Sequence, residues 1–329
     1  MITRVPITVD VSASVATGGR HELAATVFLP DVLDGRPAVL FCAHGGTYTR
    51  RYWDFESATN QSYSFGRHLA GHGKIVVAWD ALGTGDSSAT VDPWRTTSVE
   101  NAHAAHLLVN AVSDGLADGT LAGRLGPQPS LSAIGVGHSL GGMTVVRQQG
   151  RFHSYDAVCV LGWTNLDHPL SPYIRQREPE AQAALEALCA RHPPEEAEQR
   201  LQTLRGLPQM RMSDEYREAQ RAFFYADDVP EEVIAVDRSQ ARWRGGAMWL
   251  SSRIPGIVHA DAARIRQPVL LGYGERDLSS DPSREPDFYR QSPEVSLHLL
   301  RGSAHCHNFA STRTQQWERI AQWVDGLAP

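Results

Sequence analysis

Residues 130–142 constrain this chain more than any other stretch. Ser130 to Gly137 is an apolar, strand-like run. It ends in Gly137-His138-Ser139-Leu140-Gly141, a Gly-x-Ser-x-Gly pattern. The segment beyond it carries Met143, Val145 and Val146 and can start a helix. A serine placed between a strand and a helix sits on a sharp, strained turn that lifts its Oγ out of the sheet. Gly137 and Gly141 let neighbouring backbone pass close to that turn with no Cβ in the way. The following helix opens with unpaired N–H groups, which favour negative charge beside the serine. Alone the pattern is weak, because a glycine-rich turn after a strand has the same letters. Its surroundings decide what it means.

Those surroundings alternate between strand and helix signals. Ile7 to Val15 and Glu22 to Leu29 alternate polar and apolar residues around Gly18 and Gly19, which predicts a hairpin. Pro37 to Ala43 is continuously apolar, as expected of a strand buried on both faces, and runs into His44-Gly45-Gly46. Ser57 to Gly71 reads as a helix, with Phe65 and Leu69 four apart. Lys74 to Asp80 is a second buried strand, leading into the glycine-rich turn Asp80-x-x-Gly83-x-Gly85-x-Ser87. A helix is expected over Ser98 to Asp118, where Thr97 and Glu100 have capping-box form. The strand before Ser139, a helix over Leu140 to Gln149 and a strand over Asp156 to Gly162 continue the rhythm. Such alternation implies an α/β fold with a mostly parallel sheet covered by helices on both faces.

The rhythm breaks after Trp163. Between Asp167 and Asp261 no convincing buried strand appears. Helix-like runs cover Glu180–Ala190, Glu195–Gly206, Ser213–Tyr225 and Glu231–Arg244. Alternation then resumes with strands over Gln267–Tyr273 and Glu294–Leu300, and an amphipathic helix over Phe309–Leu327. The organisation is therefore a core over residues 1–164, a helical insertion over 165–261, and a second part of the core over 262–329.

The composition excludes several classes. Net charge is −6 over 329 residues, which argues against a nucleic-acid binder. The first ten residues lack a basic start followed by an apolar run, and no run is long and apolar enough to span a bilayer. A cytoplasmic protein acting on a small molecule is expected, with no membrane or nucleic-acid partner and with self-association left open. Cys42, Cys159, Cys189 and Cys306 lack CxxC spacing and read as reduced thiols. No His, Cys or Glu cluster has zinc-site spacing, so neither metal nor cofactor is expected.

Ser139, Asp277 and His305 each follow an expected strand, at the edge where ligands of open α/β sheets gather. Serine is a poor nucleophile at its free pKa and needs an imidazole to take its proton. The imidazole in turn needs a carboxylate to fix its tautomer and to stabilise the imidazolium. The chain order Ser, Asp, His, with His44-Gly45-Gly46, the Asp80 turn, Gly274-Glu275-Arg276-Asp277 and Gly302-Ser303-Ala304-His305, resembles the α/β-hydrolase superfamily almost from end to end.

That resemblance implies a nucleophile elbow at Ser139, with Asp277 and His305 completing a catalytic triad. It implies an oxyanion hole from the backbone N–H groups of Leu140 and Gly46, with Thr47 next, and a cap formed by the insertion. His44 is expected to hold its loop, His138 to pack, and Asp80 to form a structural corner. His307 competes with His305, and Asp167 with Asp277. Thr47, Tyr48, Arg50 and Trp53 come directly after the oxyanion loop and are candidate substrate-binding residues, unless that loop packs against the insertion instead. The leading expectation is a serine hydrolase of an ester, thioester or lactone of a small hydrophobic substrate. The alternatives are C–C bond hydrolysis with the same triad, or a non-hydrolytic binding protein on this fold.

Overall fold

The computed structural model describes residues 2–16, 18–33, 37–56, 63–90, 92–166, 176–207, 214–240 and 246–327. Among them a single sheet contains β1 (Thr3–Asp10), β2 (Glu22–Leu29), β3 (Ala38–Ala43), β4 (Ile75–Trp79), β5 (Ser132–His138), β6 (Ala157–Leu161), β7 (Val269–Arg276) and β8 (Val295–Ala304). Their order in space is β1-β2-β4-β3-β5-β6-β7-β8. β1 pairs antiparallel with β2, and β2 with β4. Every other neighbouring pair is parallel. This is the α/β-hydrolase fold.

The first three helices are α1 (Phe65–Gly71), α2 (Ser98–Ala117) and α3 (Leu140–Phe152). Between β6 and β7 come α4 (Pro179–Cys189), α5 (Pro194–Gln199), α6 (Asp214–Ala219), α7 (Arg221–Phe224), α8 (Glu231–Gln240), α9 (Ala247–Ser251) and α10 (His259–Ala262). The last is α11 (Arg313–Asp325).

The pleat sends alternate strand residues to opposite faces, so each central strand feeds two cores. Val39, Phe41, Ile75 and Val77 pack with Leu108 and Val112 of α2 and with Met143 and Val146 of α3. Leu40, Val76, Ile134 and Val136 pack with Phe65 and Leu69 of α1 and with Trp317 and Ile320 of α11. Each such aliphatic side chain contributes about 1.5–3 kcal/mol when fully buried. That explains why β3, β4 and β6 are apolar throughout rather than alternating.

The helices between β6 and β7 join both cores. Leu185, Leu201 and Leu250 belong to the first, and Phe224, Val233 and Ile234 to the second. A buried cation ties them down. Arg147 of α3 pairs with Glu198 of α5 at 2.6 Å and with Asp261 of α10 at 3.2 Å. Glu198 also accepts the N–H of Ser98, at the start of α2.

Some element ends differ from expectation for local reasons. β1 stops at Asp10 rather than Val15, because the Asp10 carboxylate accepts the N–H and hydroxyl of Ser12 and starts a 3-10 turn. α1 begins at Phe65, capped by Ser64, whose Oγ accepts the N–H of Arg67; residues 57–62 of the expected helix lie outside the described residues. The run expected over 195–206 leaves α-helical geometry after Gln199 for a 3-10 turn. The run expected over 213–225 breaks at Gln220. The Thr97–Glu100 capping box is present in both directions.

Candidate active site

β5 ends at His138 and α3 begins at Leu140, so Ser139 alone makes the turn. Its φ of 55° and ψ of −121° are unusual for a residue with a side chain. Such strain persists only where the surroundings over-determine it. Here they do, since the Ser139 N–H donates to the Leu161 carbonyl at 2.8 Å. The glycines allow the crossing. A Cβ on Gly137 would collide with the backbone of Gly141, and one on Gly141 with the backbone of Ala43. A Cβ on Gly142 would lie 2.8 Å from that of Trp163.

His305 Nε2 lies 3.0 Å from Ser139 Oγ, and His305 Nδ1 lies 2.6 Å from Asp277 Oδ1. A carboxylate can only accept, so the His305 proton sits on Nδ1 and Nε2 is left to accept from the serine. Asp277 is saturated with donors. Oδ1 also accepts the Leu278 N–H, while Oδ2 accepts the Gly274 N–H at 2.8 Å and His307 Nε2–H at 2.6 Å. Burial opposes the charge on Asp277, but His307, His305 and their hydrogen bonds outweigh it and hold its carboxyl well below the usual range. Gln316 Nε2 donates to His307 Nδ1 at 3.1 Å, which completes the order of protons along the chain.

Two other rings pack against that of His305. Phe223 stacks on it with centroids 4.8 Å apart, and His138 lies at 4.7 Å. His138 Nε2–H donates to the His305 carbonyl at 2.7 Å, and burial, with His305 and His307 nearby, keeps His138 neutral by lowering its pKa. His305 is only 5% exposed. Its electrostatics are therefore stronger than they would be in water.

The loop after β3 faces the serine. A Cβ on Gly45 would stand 3.2 Å from that of Ser139, and one on Gly46 would stand 3.7 Å from the Leu140 side chain. His44 Nδ1–H donates to the Gly45 carbonyl at 2.8 Å, and its Nε2 accepts the Ala81 N–H at 3.2 Å, so this ring holds the loop. A cavity of about 120 Å³ opens beside it, lined by Gly46, Thr47, Leu140, Thr144, Met248 and Trp249 among others. A larger cavity of about 980 Å³ lies beyond β6, along Thr164, Gln182, Arg253 and His259, and touches none of the candidate site residues. Position rather than size connects the smaller cavity to the serine.

Three candidate substrate-binding residues are placed elsewhere. Trp53 is fully buried against Phe65 and Tyr52 and has no surface to offer a ligand. Tyr48 is buried behind the loop, where its hydroxyl lies 3.3 Å from Asp237 and 3.1 Å from Cys306 Sγ. Arg50 forms ion pairs with Asp80 and Asp86. The reason is that the chain turns at once into a 3-10 helix, Arg50–Trp53, which folds back against the sheet. Thr47 alone of the four lines the cavity beside the serine. Asp80 accepts the N–H groups of Arg50 and Asp86 and so forms the corner expected of it. Asp167 lies outside the described residues. His307 reaches Asp277.

Phe223 and Arg217 were not indicated by the sequence. Phe223 and Arg217 lie on short helices between β6 and β7, and nothing in their local pattern separates them from packing residues. A His-x-His pair after a strand was a visible signal for His307. Among the described residues no three His, Cys, Asp or Glu side chains are grouped to hold a metal ion. Nor is any helix among them long and apolar enough to cross a membrane.

A strained serine between strand and helix, with a histidine and a carboxylate in hydrogen-bonded series on this sheet, defines a class. The chain belongs to the alpha/beta hydrolase family, whose model matches residues 39–323. No curated protein matches it in sequence. Among solved structures it is similar to a thermophilic esterase from Thermogutta terrifontis, at 17% identity and a TM-score of 0.59, with 98% of each chain covered. It is similar to a proline iminopeptidase from Mycobacterium smegmatis, at 18% identity and a TM-score of 0.60, again with 98% of each chain covered. A third is E-2-(acetamidomethylene)succinate hydrolase, at 19% identity and a TM-score of 0.57, over 98% of this chain and 100% of the other. At these identities the likeness is one of fold.

Proposed function

We propose that this chain is a serine hydrolase that cleaves an ester, thioester or lactone carrying a small apolar acyl group. The observation that carries this reading is the series Ser139 Oγ, His305, Asp277, with contacts of 3.0 and 2.6 Å. Ser139 attacks the carbonyl carbon as His305 Nε2 takes its proton. The carbonyl oxygen gains charge, and the N–H groups of Gly46 and Leu140 receive it. One such donor is worth about 3 kcal/mol. His305 then protonates the leaving alkoxide or thiolate. Water, deprotonated by the same nitrogen, releases the acid from Ser139. Throughout, Asp277 orients His305 and stabilises the imidazolium. The insertion acts as a cap, and Met248 and Trp249 give it a part in the cavity wall.

The small acyl group is inferred from the cavity. A space of about 120 Å³ is slightly smaller than the roughly 150 Å³ that accommodates benzene in an engineered apolar cavity. Purified protein should be assayed against aryl esters from acetyl to dodecanoyl, with Ser139→Ala as the control. The reading predicts turnover that peaks at the short chains and is abolished in the alanine variant. Turnover of β-diketones with none of any ester would overturn it.

A further inference from the structure

The oxyanion loop carries a second backbone anomaly. Tyr48 N–H donates to the Gly45 carbonyl at 3.3 Å, closing a turn in which Thr47 has φ of 70°. A positive φ at that corner is ordinarily met by glycine or asparagine, and for a β-branched residue it is strained. Something must therefore hold Thr47. Arg217 Nη2 donates to Thr47 Oγ1 at 2.9 Å, across 170 residues. Arg217 is 1% exposed, and its other end is fixed by Asp237 at 2.7 Å and by the Tyr225 hydroxyl at 3.3 Å. Its guanidinium also lies over the rings of Tyr48 and Phe224.

The same segment grips the other half of the site. The N–H groups of His305 and Cys306 donate to the carbonyls of Phe223 and Phe224 at 3.0 and 2.9 Å. Residues 217–237 thus touch both the loop that faces the serine and the loop that carries the histidine. Among the described residues Asp237 is the charged partner of Arg217, and Tyr48, Tyr225 and Cys306 are the other titratable groups around the pair.

We propose that Arg217 is a positioning residue that holds Thr47 in its left-handed conformation, so that the N–H groups of the Gly46 loop face the oxygen bound at Ser139. This rests on the hydrolase reading above. Arg217 touches no reacting atom. It acts through the loop, and so its loss is felt in the transition state more than in substrate binding.

The test is made at position 47, which leaves the Arg217–Asp237 pair intact. Thr47→Val keeps the branched shape and removes the hydroxyl, so the loop is free to relax to negative φ. Thr47→Gly also lacks the hydroxyl, but glycine adopts positive φ without strain. Valine is expected to lower kcat by about 30-fold, a fraction of a full oxyanion donor, with KM within about twofold. Glycine is expected to give kcat at least about tenfold above valine. Arg217→Met should fall like valine, and adding Thr47→Gly to it should recover most of the loss. Reaction rates with a fluorophosphonate should follow the same order.

Two results would overturn the proposal: valine matching wild type, or glycine falling as far as valine. The second would mean that the hydroxyl acts on substrate directly or merely anchors the insertion. Should Arg217→Met not fold, the position-47 series still decides. Activity surviving in Ser139→Ala would instead refute the hydrolase reading itself, so the two failures are distinguishable.

Discussion

Replacing Asp277 by asparagine tests the proton order of the site. Four donors converge on this carboxylate: His305 Nδ1 and the Leu278 N–H on Oδ1, and His307 Nε2 and the Gly274 N–H on Oδ2. An asparagine offers one oxygen and one NH₂. Either orientation sets the NH₂ against two donors. If it faces His305, the ring must turn its proton to Nε2 so that Nδ1 can accept. Nε2 then donates to Ser139 and cannot take its proton. A tautomer error of this kind lowers kcat by about ten-thousand-fold. At 1.36 kcal/mol per tenfold this is about 5.5 kcal/mol of lost transition-state stabilisation. If the NH₂ faces His307, the tautomer of His305 survives, but its carboxylate charge is still lost. Steady-state kinetics on the best short-chain aryl ester should give that fall in kcat with KM changed little. A variant keeping more than about a tenth of wild-type kcat would refute the charge-stabilising and orienting role given to Asp277.

The same contacts predict further outcomes. Asp277 has a folded-state pKa below its ordinary value, so the stability it contributes is present above about pH 4 and lost as pH falls below that. The urea midpoint of wild type should therefore exceed that of Asp277→Asn by a constant margin from pH 7 to about 5 and by less at pH 3; a margin that widens in acid contradicts the assignment. Arg147→Met leaves the buried Glu198 and Asp261 without their shared cation, and should cost about 3–5 kcal/mol in urea denaturation. A loss under about 1 kcal/mol would mean that those carboxylates are neutral or rearrange. Met248→Ala enlarges the cavity beside Thr47 and should move the preferred acyl chain upwards by about two carbons, each worth about 1–3 kcal/mol. An unchanged chain-length profile would place the acyl group elsewhere.

The sheet was legible in the sequence because the central parallel strands are buried on both faces and read as largely apolar runs, whereas β8, at the sheet edge, is only partly buried. Ser139, Asp277 and His305 were legible because the turns after such strands must lie at one edge. Their side chains are indeed brought into one hydrogen-bonded series. The path of the chain beyond the loop after β3 was not legible. Nearness in sequence to Gly46 favoured Tyr48, Arg50 and Trp53, but the 3-10 turn at Arg50–Trp53 carries the chain away from the cavity. The fate of Arg50 depends on a buried carboxylate thirty residues on, at Asp80. Arg217 was invisible for the same reason at greater range, since its partner Thr47 lies 170 residues away and no local pattern encodes the pairing. The expected helices over 195–206 and 213–225 are divided into shorter pieces, with breaks after Gln199 and at Gln220.

The proposed hydrolysis requires that Ser139 form a covalent acyl intermediate. Intact-mass spectrometry of the protein after reaction with a fluorophosphonate, combined with peptide mapping, tests it most directly. A single adduct is expected on the peptide containing Ser139, blocked by a short-chain ester and absent from Ser139→Ala. An unmodified protein, or an adduct on any other residue, would contradict it.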